Sequence, residues 1–293
     1  KQKLKILVNK LSTGNFDDVI FEATYLNKKH PEQEVFYNLL SLGYQAKGEY
    51  EKSIDLLEKA LKKSKNNINF LNNLGLSYYK NKDYNPAEKY FQKILEIKPN
   101  YINALNNLAA LYEEINHIEK SEDLLKKSIK INSEVIETNY NLASLLQSIG
   151  KFDEAKIYYK KTLELDENFT KADRGIAMLE KYNSSNNHIK IMEKKIQNEK
   201  LHKSNIINLS FALGKVYEDV KDYEKSFFYI AKANKLKKSL LNYDIENDKK
   251  LFQKIKNFYQ NNTLQKTSSI QNEKKIIFIL GMPRTGTSLV EQI

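Results

Sequence analysis

The chain has 293 residues, room for two domains, and an apolar fraction of 41% that is ordinary for a protein with a buried core. It contains no cysteine and four scattered histidines, which excludes a disulfide framework, a thiolate metal site and a cysteine nucleophile, and gives no expectation of a metal centre. The formal net charge of +11 is carried almost entirely by lysines interleaved with glutamates, as in EKSIDLLEKALKKSK; this is the pattern of solvated helix faces with i,i+4 pairs, so no nucleic-acid partner is expected.

No apolar run approaches the ~20 residues of a membrane-spanning helix, so no membrane association is expected. No secretory signal opens the chain, and the lack of cysteine fits a reducing compartment; the expected location is cytoplasmic. The first residue is lysine and the last lies inside a motif, which reads as a fragment of a longer protein.

In chain order, the first signal is a repeat. NNLGLSYY (72–79), NNLAALYE (106–113) and YNLASLLQ (140–147) stand 34 residues apart, and Phe16, Tyr50, Tyr84, Ile118 and Phe152 keep the same period. Gly14, Gly48 and Gly150 sit two residues before members of that series. Within each unit, apolar residues recur at three- and four-residue steps in two blocks parted by a short break such as KGEY or NKDY, which predicts helix, turn, helix. Small residues mark where the helices must approach: Ser41, Gly75, Ala109 and Ala143 on the first, and Ser53, Ala87, Ser121 and Ala155 on the second.

This pattern resembles the tetratricopeptide repeat, with Gly75, Tyr78, Ala87, Phe91 and Pro99 matching its signature in one unit. The resemblance covers residues 4–179. Ile94 stands where a small residue is usual, and Ser133 and Glu167 replace the terminal proline, so less regular packing is expected there. After Lys181 the stretch NSSNNH breaks the pattern; a displaced unit follows, with Gly214, Tyr217, Tyr223, Ser226 and Ala233 in repeat-like places. An amphipathic helix, DKKLFQKIKNFYQ, then leads into a polar linker.

A stack of such pairs curves, with the first helices lining a concave face. Asn73, Asn107 and Asn141 recur at one register there. Two roles stay open for them: gripping the backbone of a protein or peptide in the groove, or bridging successive repeats by hydrogen bonds. Tyr78, Tyr79 and Tyr112 have the spacing of core residues.

The final stretch is of another kind. KKIIFIL reads as a buried strand, and GMPRTGTS followed by LVEQI reads as a glycine-bounded loop opening a helix, a combination that aims backbone N–H groups at an anion. The string nearly matches the triphosphate loop, but Thr287 stands where that loop has its lysine, and the positive charge sits instead at Arg284. The loop resembles the 5′-phosphosulfate loop of sulfotransferases, in particular the version of tyrosylprotein sulfotransferases and of bacterial proteins that join tetratricopeptide repeats to a sulfotransferase domain.

The resemblance implies that Pro283, Arg284, Thr285, Gly286, Thr287 and Ser288 bind 3′-phosphoadenylyl sulfate, with Arg284 neutralising the leaving phosphate as the sulfonate passes to an acceptor hydroxyl. The repeats would then hold the acceptor. The family's catalytic base and 3′-phosphate residues have no counterpart up to Ile293, so this stretch alone is expected to be inactive. Alternatives are a non-catalytic scaffold and a nucleotide kinase with an atypical loop.

The expected fold class is therefore all-α: a right-handed superhelical solenoid of tetratricopeptide helix pairs, followed by the first strand, loop and helix of a truncated α/β P-loop-like domain. The expected divisions are repeats over 1–182, an irregular continuation with a further repeat and a capping helix over 183–262, a linker over 263–274 and the start of the sulfotransferase domain over 275–293.

Overall fold

The computed structural model of the chain describes residues 2–241 and 244–261, and among them fifteen helices and no strand. The expected strand and loop of 275–288 lie outside the described residues. Five regular pairs come first: α1 (Gln2–Ser12) with α2 (Phe16–Lys29), α3 (Glu34–Ala46) with α4 (Tyr50–Lys63), α5 (Ile68–Lys80) with α6 (Tyr84–Ile97), α7 (Ile102–Glu114) with α8 (Ile118–Ile131), and α9 (Ile136–Ser148) with α10 (Phe152–Leu165). From α3 to α10 every first helix has 13 residues and every second helix 14.

The period is built from backbone closure. Positive φ occurs at Gly14, Gly48, Lys82, Asn116 and Gly150, each 34 residues after the last, and always at the turn inside a pair. Beyond it, the next N–H bonds back to a carbonyl in the preceding helix: Asn15 to Lys10 at 2.9 Å, Glu49 to Tyr44 at 2.9 Å, Asp83 to Tyr78 at 2.9 Å, His117 to Tyr112 at 2.7 Å and Lys151 to Leu146 at 2.9 Å. This is the Schellman closure, which satisfies carbonyls the helix end would leave orphaned.

Side chains then seat one helix on the other. A Cβ on Gly75 would lie 2.6 Å from Phe91 Cε1, so only glycine lets the fully buried Phe91 ring reach the α5 backbone. The expected small residues Ser41, Ala109, Ala143, Ser53, Ala87, Ser121 and Ala155 are all at 0% exposure. Ser121 donates its hydroxyl to the Ala109 carbonyl at 2.8 Å, which satisfies a polar group in the core. The expectation of looser packing where the signature lapses is corrected here. Ile94 is fully buried, and the links without proline are as long as those with it, because the turn is fixed by backbone bonds such as Asn132 N–H to Ser128 O at 3.0 Å.

The sixth pair departs. α11 (Thr170–Leu179) stops one turn short of its register and α12 (Asn187–Ile196) follows a longer loop, while α13 (Lys203–Asp219) packs directly on α11. α13 and α14 (Tyr223–Leu240) restore the regular arrangement: Lys221 takes positive φ, Asp222 N–H bonds to Tyr217 O at 2.9 Å, and Ser226 donates to the Gly214 carbonyl at 2.7 Å. Lys221 lies 71 residues past Gly150, two periods and three residues, so the irregular pair contains a net insertion of three. The stack therefore runs through residue 182 up to Leu240. By contacts the chain divides there into two units, and α15 (Ile245–Asn261) belongs to the second.

Candidate functional site

Within the first unit, successive first helices touch one another, α3 with α5, α5 with α7 and α7 with α9, whereas successive second helices make no contact of comparable extent. The stack consequently bends around its first helices, and their exposed side chains line the inner face. Asn73, Asn107 and Asn141 are all half-buried on that face. Asn73 Nδ2 donates to Asn38 Oδ1 at 3.1 Å and Asn107 Nδ2 to Asn72 Oδ1 at 2.9 Å, each bridging to the first helix before it. Asn141 makes no such bond among the described residues. The amide ladder is thus a repeat-to-repeat bridge at two of its three rungs.

Next to Asn141 the inner face opens into a recess of about 510 Å³ across α9, α11 and α13, lined among others by Tyr140, Gln147, Tyr159, Lys171, Arg174 and Asn208. Its floor depends on Gly175: a Cβ there would lie 2.5 Å from Tyr159 Cζ, so glycine lets the tyrosine ring lie against α11. Tyr159 donates its hydroxyl to Gln147 Oε1 at 2.7 Å. Burial pushes its pKa up to about 12, so at neutral pH it stays a neutral hydrogen-bonding group.

Two cations border the recess one turn apart on α11. Arg174 holds its guanidinium 4.8 Å from the Phe211 ring centroid, and Lys171 Nζ stands 5.8 Å from that of Tyr140. Neither makes an ion pair among the described residues. The aromatic faces hold the cations in place and leave their N–H donors unspent. On the neighbouring α7, burial pushes the Glu113 carboxyl up, and Glu114 beside it adds to the effect.

A second recess, about 400 Å³, crosses the first helices α1, α3 and α5. Leu11, Leu42 and Leu76 give it an apolar lining, with Gln45 inside and Lys80 beside it. Gln45 Nε2 is engaged by the Asn73 carbonyl and Ser77 Oγ, both at 2.8 Å.

The tyrosines expected to serve the core do so. Tyr112 is 7% exposed and donates to Glu88 at 2.7 Å; Tyr78 donates to Glu58 at 2.6 Å and stacks on Tyr90 with centroids 5.7 Å apart. Tyr79, half-buried, lies 6.2 Å from the Tyr84 ring. Sequence alone does not single out Arg174 or Lys171 as binding residues. Their spacing of three on a helix, with Arg174 one of only two arginines, is the available signal, and the missing part is their seating against the Tyr140 and Phe211 rings without an ion pair among the described residues. Arg284 and the other loop residues, Pro283, Thr285, Gly286, Thr287 and Ser288, lie outside the described residues. Among the described residues no group of three or more histidine, cysteine or acidic side chains is placed to hold a metal, and no helix is long and apolar enough to cross a membrane.

Comparison with known proteins agrees with this geometry. Models of the tetratricopeptide repeat match residues 44–82, 66–134, 136–169 and 207–240, together more than half of the chain; the unmatched 170–206 is the irregular pair. An uncharacterized protein of Aquifex aeolicus is 33% identical over 116 residues, 39% of this chain, and the match spans only 15% of that relative's length. Among solved structures, the tetratricopeptide protein TTC0263 of Thermus thermophilus superposes with a TM-score of 0.55 at 18% identity, covering 60% of this chain and 96% of that one. A tetratricopeptide repeat protein of Parabacteroides merdae gives 0.52 at 17%, covering 86% and 98%, and PilF of Pseudomonas aeruginosa gives 0.52 at 19%, covering 69% and 96%. Helix pairs at a 34-residue period, closed by the same turn and seated by the same small residues, make this chain a member of the tetratricopeptide-repeat family.

Proposed function

We propose that the repeats are a protein-interaction scaffold whose inner face holds an extended peptide. The observation that carries this reading is the recess over α9, α11 and α13: two cations with no ion pair among the described residues, the Asn208 amide and the Tyr140 and Tyr159 rings converge where a chain in the groove would run. Peptide backbone is recognised by such amides, and side-chain selectivity comes from the pockets between them. Panning a random-peptide phage library on the intact protein should enrich binders that protect the amides of α9, α11 and α13 from hydrogen exchange. Binders that protect only the second helices would defeat the groove reading.

The loop at 283–288 favours a second, compatible reading. Its resemblance to the phosphosulfate loop supports a 3′-phosphoadenylyl sulfate-dependent sulfotransferase in which the peptide in the groove is the sulfonate acceptor. Arg284 is the residue proposed to act on the donor, and Thr285, Gly286, Thr287 and Ser288 to hold it. Adenosine 3′,5′-bisphosphate should then raise the melting temperature of the intact protein, because a ligand that binds only the folded state stabilises it. Arg284→Ala should abolish that shift with helical content intact. Stabilisation by ATP with magnesium and none by the bisphosphate would leave a nucleotide kinase in its place; stabilisation by neither would leave the scaffold.

A further inference from the structure

The outer face of α2 departs from that of the other regular second helices. Phe21 and Tyr25, one turn apart, are 77% and 61% exposed. At the place of Phe21, counted by the 34-residue period, α4, α6 and α8 carry the charged residues Asp55, Lys89 and Asp123. At the place of Tyr25 stand Lys59, Lys93, Lys127 and, on α10, Lys161. Even where an apolar residue returns at the first place, Ile157 on α10 and Phe228 on α14, a lysine keeps the second. Of these helices α2 alone is apolar at both. Neither ring serves the core: α2 packs inward through Val19, Ala23 and Leu26, and helical rotation places Phe21 and Tyr25 across the helix from them. Successive second helices do not pack on one another to cover such a face. An aromatic patch kept in solvent at positions that the fold otherwise fills with charge marks an interaction surface.

The stripe around the two rings complements itself. A shallow depression of about 430 Å³ follows it, bounded by Asp17, Ile20, Phe21, Thr24, Tyr25 and Lys28. A two-fold axis passing between positions 22 and 23 would lay the stripe antiparallel on its own copy. Each residue then meets the one equally far beyond the axis: Asp17 opposite Lys28, Ile20 opposite Tyr25 and Phe21 opposite Thr24. Each large ring faces a smaller side chain, and each end of the stripe faces the opposite charge. A parallel arrangement would instead set Asp17 against Asp17 and Lys28 against Lys28. Lys28 makes no ion pair among the described residues, and Lys47 engages Asp17 through Oδ1 only, which leaves Oδ2 for a second cation. Antiparallel packing also brings the positive end of each helix dipole beside the negative end of the other.

We infer that the partner at this face is a second copy of the chain, docked through antiparallel α2 helices across a two-fold axis. The inference does not depend on what the groove holds. A stripe of three helical turns from each copy gives a contact below about 1,200 Å² in total, the low end of specific interfaces, so the dimer is weak and reversible. The contact lies on the side of α2 turned away from the first helices, so each copy keeps its inner face free and the dimer presents two grooves.

Sedimentation velocity of the intact protein, run from micromolar to millimolar concentration, tests this. The mass should rise from monomer to dimer and stop there, because a two-fold contact closes on itself. Phe21→Asp with Tyr25→Lys installs the pair that α4 carries at these places, and should hold the protein monomeric with unchanged circular dichroism. Asp17→Lys sets two lysines against each other at both ends of the contact and should weaken association about 10-fold. Adding Lys28→Asp should restore it, which a mere loss of the Lys47 contact would not allow. A parent protein that stays monomeric throughout overturns the inference, as does assembly beyond the dimer. A dimer that survives Phe21→Asp with Tyr25→Lys overturns it by placing the contact elsewhere. Association lost in that variant but indifferent to both charge reversals rules out the antiparallel arrangement, and the inference falls with it.

Discussion

Asp173 on α11, at 0% exposure, is bound by Lys195 Nζ on α12 at 2.9 and 3.0 Å. His188, also on α12, approaches the same carboxylate through Nε2 at 2.9 Å, and its Nδ1 meets the Tyr182 hydroxyl at 2.7 Å. The irregular pair thus adds an ion-pair network to an apolar contact in which Ala177, in the small-residue register, packs with Ile189 and Met192 of α12. Removing one partner of a buried pair leaves an uncompensated charge, so Asp173→Ala should cost about 3–5 kcal/mol in urea unfolding and expose α12 amides to exchange. Adding Lys195→Met should recover part of the loss. An unchanged urea midpoint in the single variant would refute the structural role.

Gly75→Ala tests the seating of α5 on α6. Its Cβ would approach Phe91 Cε1 to 2.6 Å, and Phe91 is fully buried and cannot swing away. Overpacking of this kind costs about 1–3 kcal/mol. Phe91→Leu makes a cavity by itself, yet combined with Gly75→Ala it should show favourable coupling, since the shorter side chain makes room for the methyl. Strict additivity would mean that the ring is not what the glycine accommodates.

Lys82→Gly should stabilise the protein. Lys82 takes φ 66° at the position where Gly14, Gly48 and Gly150 stand in other units, and a left-handed conformation costs a non-glycine residue about 1–2 kcal/mol. Asn116, at φ 60°, should gain less from the same change, because asparagine tolerates this region. Melting temperatures of the two variants give the order directly; a destabilised Lys82→Gly would sink the argument.

These three sites show what the sequence disclosed. Gly75 and the small residues on facing helices were legible because their period and size are steric requirements that no neighbour can relax. Positions 82 and 116 were legible as turns through the aromatic or apolar residue two places later, although no glycine marks them. The Asp173 network was not legible: a lone aspartate, histidine and lysine in a broken repeat have no period, and only the displacement of α12 brings them together. The inner-face recess failed to show for a related reason. Arg174 looks like any exposed helix cation until its place over the Phe211 ring, with no ion pair among the described residues, is seen. The asparagine ladder was half legible, its register given by the period and its bridging bonds only by the side-chain geometry.

Glu122 supplies the pH dependence. Its carboxylate, 13% exposed, accepts from Lys126 Nζ at 2.6 Å and from Lys151 Nζ at 3.0 Å, and these two lysines, Lys126 foremost, hold it below the usual glutamate range against the opposing effect of burial. A carboxylate whose folded pKa is depressed binds protons more readily in the unfolded chain, so its contribution is fully present above the ordinary glutamate pKa of about 4.3 and is lost as pH falls through the folded value. Both lysines are nearly half exposed, which screens the pair to about 0.5–1 kcal/mol. Glu122→Gln should therefore lower stability by that amount at neutral pH, and the two proteins should converge as the solution is acidified through the carboxylate range. Urea midpoints across that range decide it: a gap that stays constant on acidification would assign the effect to packing of the side chain and not to its charge.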